Sequence, residues 1–341
     1  MRSFASDNNS GVHPSVMEAI NQANKDHAIG YGDDPWSKEA VETIHRVIGD
    51  EVDPYFTFNG TGANVTALRL LTRPYQTIFC AETAHIYVDE CSAPASQTGC
   101  HIRPIATANG NGKLTPELIA PHIHGVGDQH HAQPRAIYIS QCTEMGTVYT
   151  LEELKELRAF ADKHQLYILM DGARISNACV ALNCSLREMI INTGMDLVVL
   201  GGTKNGLMVG ECLLVINDAF KQEAKFMRKN TAQLASKMRF LSCQFTAFLQ
   251  DNLWQKCAAN ANQLAKRLCD GLKQIDGVEM TQPLDSNQLF LTMPRPVIDK
   301  LLKDYFFYFW NEEKHEIRFV TSWDTTEEDV DQLLSSIKKN S

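Results

Sequence analysis

The chain lacks several features that would each point to a function class. Among its 341 residues there are ten cysteines, yet no C-x-x-C pair, and Cys80, Cys179, Cys212 and Cys243 sit in apolar contexts. That pattern reads as buried free thiols rather than a disulfide framework. The histidine cluster 122-HIHGVGDQHHAQ-133 has no cysteine or carboxylate set at ligand spacing beside it, so no metal site is expected. A basic excess is missing as well. The formal net charge of −9 argues against a nucleic-acid or anionic-membrane partner. No apolar run approaches the roughly 18 residues needed to span a bilayer. The opening MRSFASDNNSG has no apolar signal core, and the expected compartment is the cytoplasm. Repeats and low-complexity linkers are absent too.

What remains is an ordinary globular composition, 44% hydrophobic and 21% charged, long enough for a large core. Short β-rich runs alternate with helical patterns through the middle of the chain. The predicted strands are 55-YFTF-58, 77-TIFC-80, 136-AIYIS-140, 166-LYILM-170, 196-DLVVLG-201 and 212-CLLVI-216. Between them, 62-GANVTALRLLT-72 and 151-LEELKELRAFADKH-164 read as helices, the second with Thr150 as N-cap and an acidic first turn. Strand–helix–strand order with near-continuous apolar strands predicts an α/β fold with a mainly parallel sheet, helices on both faces. Near residue 250 the rhythm changes. A long amphipathic helix over about 251–275, short strands 288-QLFLTM-293 and 316-EIRFV-320, and a last helix over 326–339 predict a smaller α+β unit. Residues 1–250 are thus expected to form a large domain and 251–341 a small one.

Ligands of open α/β sheets gather beyond the carboxyl ends of the strands. The stretch 58-FNGTGANV-65 runs from a strand through glycines into a helix, where the first N–H groups cradle an anion. In 168-ILMDGAR-174 an apolar strand delivers Asp171 to the sheet edge, with Arg174 three residues on. One unit later, 198-VVLGGTKNGLMVGE-211 places Lys204 behind two glycines and a threonine, with no acid close before it. A phosphate cradle, an acid for a cationic ring nitrogen and a desolvated lysine together match the needs of pyridoxal 5′-phosphate. His85, in 83-TAHIYVDE-90 just after the strand TIFC, is placed to lie flat on such a ring.

With these residues in place, the chain resembles the low-specificity L-threonine aldolases, the β-hydroxy-amino-acid aldolases of the fold type I pyridoxal-phosphate enzymes. The resemblance runs nearly end to end. It is carried by 6-SDNNSGVHPSVMEAI-20, 30-GYGDDPWSKEAVETI-44, 59-NGTGANVTAL-68, 317-IRFVTSWD-324 and above all 171-DGARISNACVAL-182. It implies Lys204 as the lysine that holds the cofactor aldehyde, Asp171 as partner of the ring nitrogen, and Gly60 and Thr61 at the phosphate. His85 would stack on the ring. Ser6, Arg174 and Arg318 would take the substrate carboxylate, two guanidiniums suiting a fixed orientation. His131 falls on a loop histidine that lines the family's site, and Tyr31 would reach in from a neighbouring subunit, as would Lys229 or Arg239 toward the phosphate.

The implied reaction is retro-aldol cleavage of an L-3-hydroxy-amino acid such as threonine or allo-threonine to glycine and an aldehyde, with His85 as base and His131 the alternate. The rivals are β-elimination, transamination or racemisation on the same fold, and a phenylserine-type aldolase. A homodimer or homotetramer with shared sites is also implied. The chain departs from the family pattern at 141-QCTEMG-146, around Lys204 (GGTKNGL), at 230-NTAQLASKMRF-240 and at 131-HAQPR-135.

Overall fold

The computed structural model describes residues 3–341. Its main sheet holds β1 (Asp53–Thr57), β2 (Gln76–Ala81), β3 (His101–Ile105), β4 (Gln133–Ser140), β5 (Tyr167–Gly172), β6 (Leu197–Gly201) and β7 (Glu211–Val215). The spatial order is β1-β7-β6-β5-β4-β2-β3. β7 alone runs against the rest, pairing antiparallel with both β6 and β1. The predicted mainly parallel sheet is therefore what forms, and β6 and β7 are buried along their whole length, as helices on both faces require. β3 was not predicted. Its sequence HIRPI carries Pro104, which an edge strand tolerates because its outer side needs no ladder donor.

Local chemistry sets the helix boundaries. Leu151–Lys163 starts at a complete capping box, the Thr150 side chain accepting from Glu153 N–H while Glu153 reaches back. Between β5 and β6 lie two helices, Ile175–Leu182 and Leu186–Ile190, divided at Asn183 in the left-handed region. Cys184 N–H closes onto Cys179 O at 3.0 Å there, a helix-ending turn that asparagine favours.

The C-terminal part forms a four-stranded antiparallel sheet, ordered β10 (Tyr308–Asn311), β11 (Glu316–Val320), β9 (Gln288–Thr292) and β8 (Glu279–Met280). The helix Leu253–Leu272 serves two hydrophobic clusters. Leu253, Trp254 and Cys257 join the main core, whereas Leu264, Ala265 and Leu268 join the cluster behind the small sheet. Phe4, grouped by sequence with the first 250 residues, is buried in that second cluster. Its backbone bonds Phe306 O at 2.9 Å and accepts from Val320 N–H at 2.8 Å. The N-terminal segment is thus stitched to β11 and carries Ser6 and Asp7 toward the main sheet. Among the described residues no helix is long and apolar enough to cross a membrane.

Candidate active site

The carboxyl ends of β1, β2, β4, β5 and β6 converge on one cavity of about 270 Å³. Gly60, Thr61, His85, Asp171, Arg174 and Lys204 all line it. Because β7 is antiparallel, its first residue, Glu211, reaches the same edge.

Two glycines deliver Lys204. A Cβ on Gly201 would meet the Ala173 backbone at 2.6 Å, so only glycine lets this strand end press against the turn after Asp171. The loop is then pinned. Glu211 accepts from Gly202 N–H at 2.7 Å, Thr203 Oγ1 accepts from Gly210 N–H at 3.1 Å, and Asn205 Nδ2 donates to Trp254 O at 2.9 Å. Lys204 is half-buried and lines the cavity. Burial lowers its pKa, aided by the Arg174 cation and opposed by Asp7, Asp171 and Glu211. That combination favours the free amine, the form that attacks a carbonyl.

Asp171 is held by three donors. Tyr138 OH and Asn64 Nδ2 donate to Oδ2 at 2.7 and 2.9 Å, and Ala173 N–H donates to Oδ1 at 2.9 Å. Burial alone would raise its pKa, but these hydrogen bonds and Lys204 lower it, and the carboxylate stays ionised. The helix Gly60–Leu71 points its N-terminus at the cavity. Asn59 caps Gly62 N–H at 2.7 Å, and a Cβ on Gly60 would meet nothing within 4 Å, so the first turn opens on free space. His85 begins a one-turn helix after β2. Its Nδ1 lies 2.8 Å from Glu90 Oε1, and its N–H donates to Glu144 Oε1 at 2.8 Å. The hydrogen bond to Glu90 raises its pKa against the effect of burial.

Arg174 is clamped by Asp7, Nε to Oδ2 at 2.7 Å and Nη2 to Oδ1 at 2.8 Å, which leaves Nη1 for a ligand. Ser6 caps the short turn Asp7–Asn9 through its hydroxyl, and Asn8 from that turn lines the cavity. Arg318 donates from Nη2 to Ala5 O at 3.2 Å, its guanidinium lies 5.2 Å from the Trp310 ring, and its Nε is buried with no partner. Burial lowers its pKa to about 10, and the Arg174 cation adds to this. Arg318 therefore stands beside the Arg174–Asp7 pair without lining the cavity.

Four residues expected at the site, His131, Tyr31, Lys229 and Arg239, do not line this cavity. His131 precedes β4 at the opposite end of the sheet, in a second cavity of about 180 Å³ shared with His101, His122, His124 and His130. Gln133 Nε2 donates to Gly125 O and His131 O at 2.9 Å and holds the loop there, so the structure places His131 away from the cavity lined by Lys204. Tyr31 is 55% exposed, with Lys229 Nζ 5.3 Å from its ring and its N–H bonded to Ser236 O. Arg239 stacks on Trp36. Asp7, Asn64, Glu90, Tyr138, Glu144 and Glu211 were not singled out from sequence. All six nevertheless fall inside motif stretches of the sequence: Asp7 in SDNNSG, Asn64 in FNGTGANV, Glu90 in TAHIYVDE, Tyr138 in the strand AIYIS, Glu144 in QCTEMG and Glu211 at the end of VVLGGTKNGLMVGE.

A family model described as "Beta-eliminating lyase" matches residues 3–294. The chain belongs to the beta-eliminating lyase family. Members of this family are pyridoxal-phosphate-dependent enzymes, and this chain is similar along nearly its whole length to low-specificity L-threonine aldolases. It is 38% identical to the one from Pseudomonas sp. (strain NCIMB 10558), covering 98% of this chain and 96% of that protein. Identity is 39% to that of Pseudomonas aeruginosa, with the same coverage. The solved threonine aldolase of Leishmania major superposes with a TM-score of 0.93 at 30% identity, covering 99% of both chains. An aspartate aminotransferase of Thermus thermophilus, 16% identical with a TM-score of 0.71 over 98% of this chain and 89% of that one, shares the fold.

The cavity fits the family's cofactor on its own evidence. An amine without a hydrogen-bonding partner among the described residues, an ionised carboxylate and an open helix N-terminus face one space, and each suits a different end of the same molecule.

Proposed function

We propose that this family member cleaves an L-3-hydroxy-amino acid, threonine or allo-threonine in type, to glycine and an aldehyde with pyridoxal 5′-phosphate. The observation that carries the reading is the convergence of Lys204 and Asp171 on one cavity, the first favoured as a free amine and the second kept ionised. The names of the two Pseudomonas relatives support the substrate class.

Lys204 is the amine that would hold the cofactor aldehyde, Asp171 its ring nitrogen, and the N–H groups of Gly60 and Thr61 its phosphate. When bound, the cofactor supplies an electron sink for the pair released as Cα–Cβ breaks. The protein does the rest. Arg174, through its free Nη1, takes the substrate carboxylate, with Arg318 and Ser6 alongside. That fixes the substrate's orientation about Cα. His85 accepts the proton of the 3-hydroxyl as the bond opens, a general-base step worth roughly 10²–10⁴-fold. His131 takes no part within its own subunit.

Phe58 and Val209, which line the cavity, are 38% and 37% exposed, Met208 next to Val209 in the chain is 45% exposed, and Ile29 and Phe226 are 71% and 66% exposed elsewhere. Apolar surface at the mouth of a site favours cover by a second copy, and we infer a homodimer or homotetramer. The test of function is product analysis with L-threonine and L-allo-threonine. Glycine and acetaldehyde in equal amounts are expected; a 2-oxo acid with ammonia would instead place the enzyme among the eliminating lyases.

A further inference from the structure

His85 does not stand alone at the cavity wall. Glu90, two residues beyond the one-turn helix His85–Val88, folds back beneath it and is buried at 4% exposure. A single carboxylate oxygen, Oε1, meets both His85 Nδ1 and Asn64 Nδ2 at 2.8 Å. The other, Oε2, is buried with no partner. Asn64 spends its second amide hydrogen on Asp171 Oδ2 at 2.9 Å, and its own Oδ1 is also buried without a donor. One amide therefore spans the carboxylate under the histidine and the carboxylate at the far side of the cavity.

An ionised carboxylate can only accept, so the proton in the His85–Glu90 contact belongs to Nδ1. In the neutral ring this leaves the lone pair on Nε2, which has no protein partner among the described residues. Other groups face the ring as well: Asp171 from β5 favours its charged form, while Lys204 from the turn after β6 opposes it. Glu144 holds the His85 backbone N–H rather than the ring. Among the described residues Glu90 has an ion pair with His85 alone. A buried carboxylate with one oxygen unsatisfied gains its compensation mainly from that histidine and from Asn64.

We propose that Glu90 is a positioning residue that fixes the His85 tautomer, presenting Nε2 to the substrate hydroxyl, while Asn64 ties this pair rigidly to Asp171. The inference rests on the aldolase reading above for its chemistry, but the state of the imidazole can be observed without any turnover. Glu90→Gln keeps the shape and removes the charge. Its amide can also turn an N–H toward Nδ1, which would move the ring proton to Nε2 and block the base.

The experiment is a histidine-labelled NMR titration of the holoenzyme, wild type against Glu90→Gln, run beside steady-state cleavage of L-threonine across pH. The expected result is a downward shift of the His85 titration, a changed tautomer signal, and a kcat about 10²–10⁴-fold lower with KM little altered. The cofactor's visible absorption should be retained. Glu90→Asp, which keeps the charge, should restore part of the rate and raise the titration again, and it also serves as the readout if the glutamine variant does not fold. An unchanged His85 titration and tautomer in Glu90→Gln would overturn the proposal. If wild type cleaves no 3-hydroxy-amino acid, the aldolase reading fails, and the NMR arm still decides whether Glu90 governs His85.

Discussion

Asp7 and Arg174 meet edge to edge through two parallel hydrogen bonds of 2.7 and 2.8 Å, joining the chain's first turn to the loop after β5. Asp7 is 1% exposed, and Asn287 Nδ2 donates to the same carboxylate at 3.1 Å. Burial pushes the Asp7 pKa up, yet Arg174 more than offsets this and holds it below the usual carboxylate value. The pair aims one guanidinium nitrogen at the cavity and fixes the rest of the group.

Asp7→Asn should cost about 3–5 kcal/mol of stability, because it leaves a buried guanidinium uncompensated. It should also raise KM for the amino acid more than it lowers kcat. Urea denaturation and steady-state kinetics check the two parts. The wild-type contribution is present above the ordinary aspartate pKa and is lost as pH falls through the lowered folded value, so the stability gap between the two proteins should close in acid.

Replacing Lys204 with alanine should abolish both turnover and the visible absorption of the lysine-linked cofactor. The fold should persist, since the variant removes a desolvated amine and no hydrogen bond. Absorption spectra with added pyridoxal phosphate, together with circular dichroism, test this. Retained visible absorption of native intensity would point to another lysine.

Glu211 provides a pH signature. Burial raises its carboxyl pKa from 4.5 to about 7, against the hydrogen bond from Gly202 N–H. Between those values the unfolded chain is ionised while the folded one holds its proton, so this group lowers stability progressively as pH rises toward 7, and fully above it. At 1.36 kcal/mol per unit the cost is about 3 kcal/mol as an upper estimate. Glu211→Gln should therefore melt higher than wild type at pH 8 and close to it at pH 5, in cofactor-free protein.

A control lies at the other end of the sheet. Asp196 accepts from Arg158 Nη1 at 2.8 Å, Ile168 N–H at 2.7 Å and Asn217 Nδ2 at 2.7 Å. Asp196→Ala should lose about 3–5 kcal/mol in denaturation, as expected for breaking a largely buried pair. Activity per folded molecule should stay near wild type.

The residues legible in the sequence share a local signature. Asp171, Lys204, Gly60 and His85 each follow an apolar strand directly, so the strand pattern alone puts them on one edge, and one cavity collects them. Asp7, Asn64 and Tyr138 carry no such mark. Asn64 is an interior helix residue, Tyr138 lies within β4, and Asp7 is far from any strand of the main sheet; only tertiary packing brings each to its carboxylate or guanidinium. The strand order that runs Glu211 backward to the same edge is likewise a property of topology. His131 shows the reverse. Its expected role rests on resemblance alone, whereas its place two residues before β4 puts it at the amino end of that strand, away from the edge where the cavity lies.

The stitching of Phe4 between Phe306 and Val320 has a temporal meaning. During synthesis the amine and the acid of the cavity emerge well before the strand that receives Phe4. The grip on Arg174 is thus completed late, when the C-terminal sheet closes over the first few residues. A nascent chain can fold its central sheet early and still wait for its own tail before it can orient a substrate.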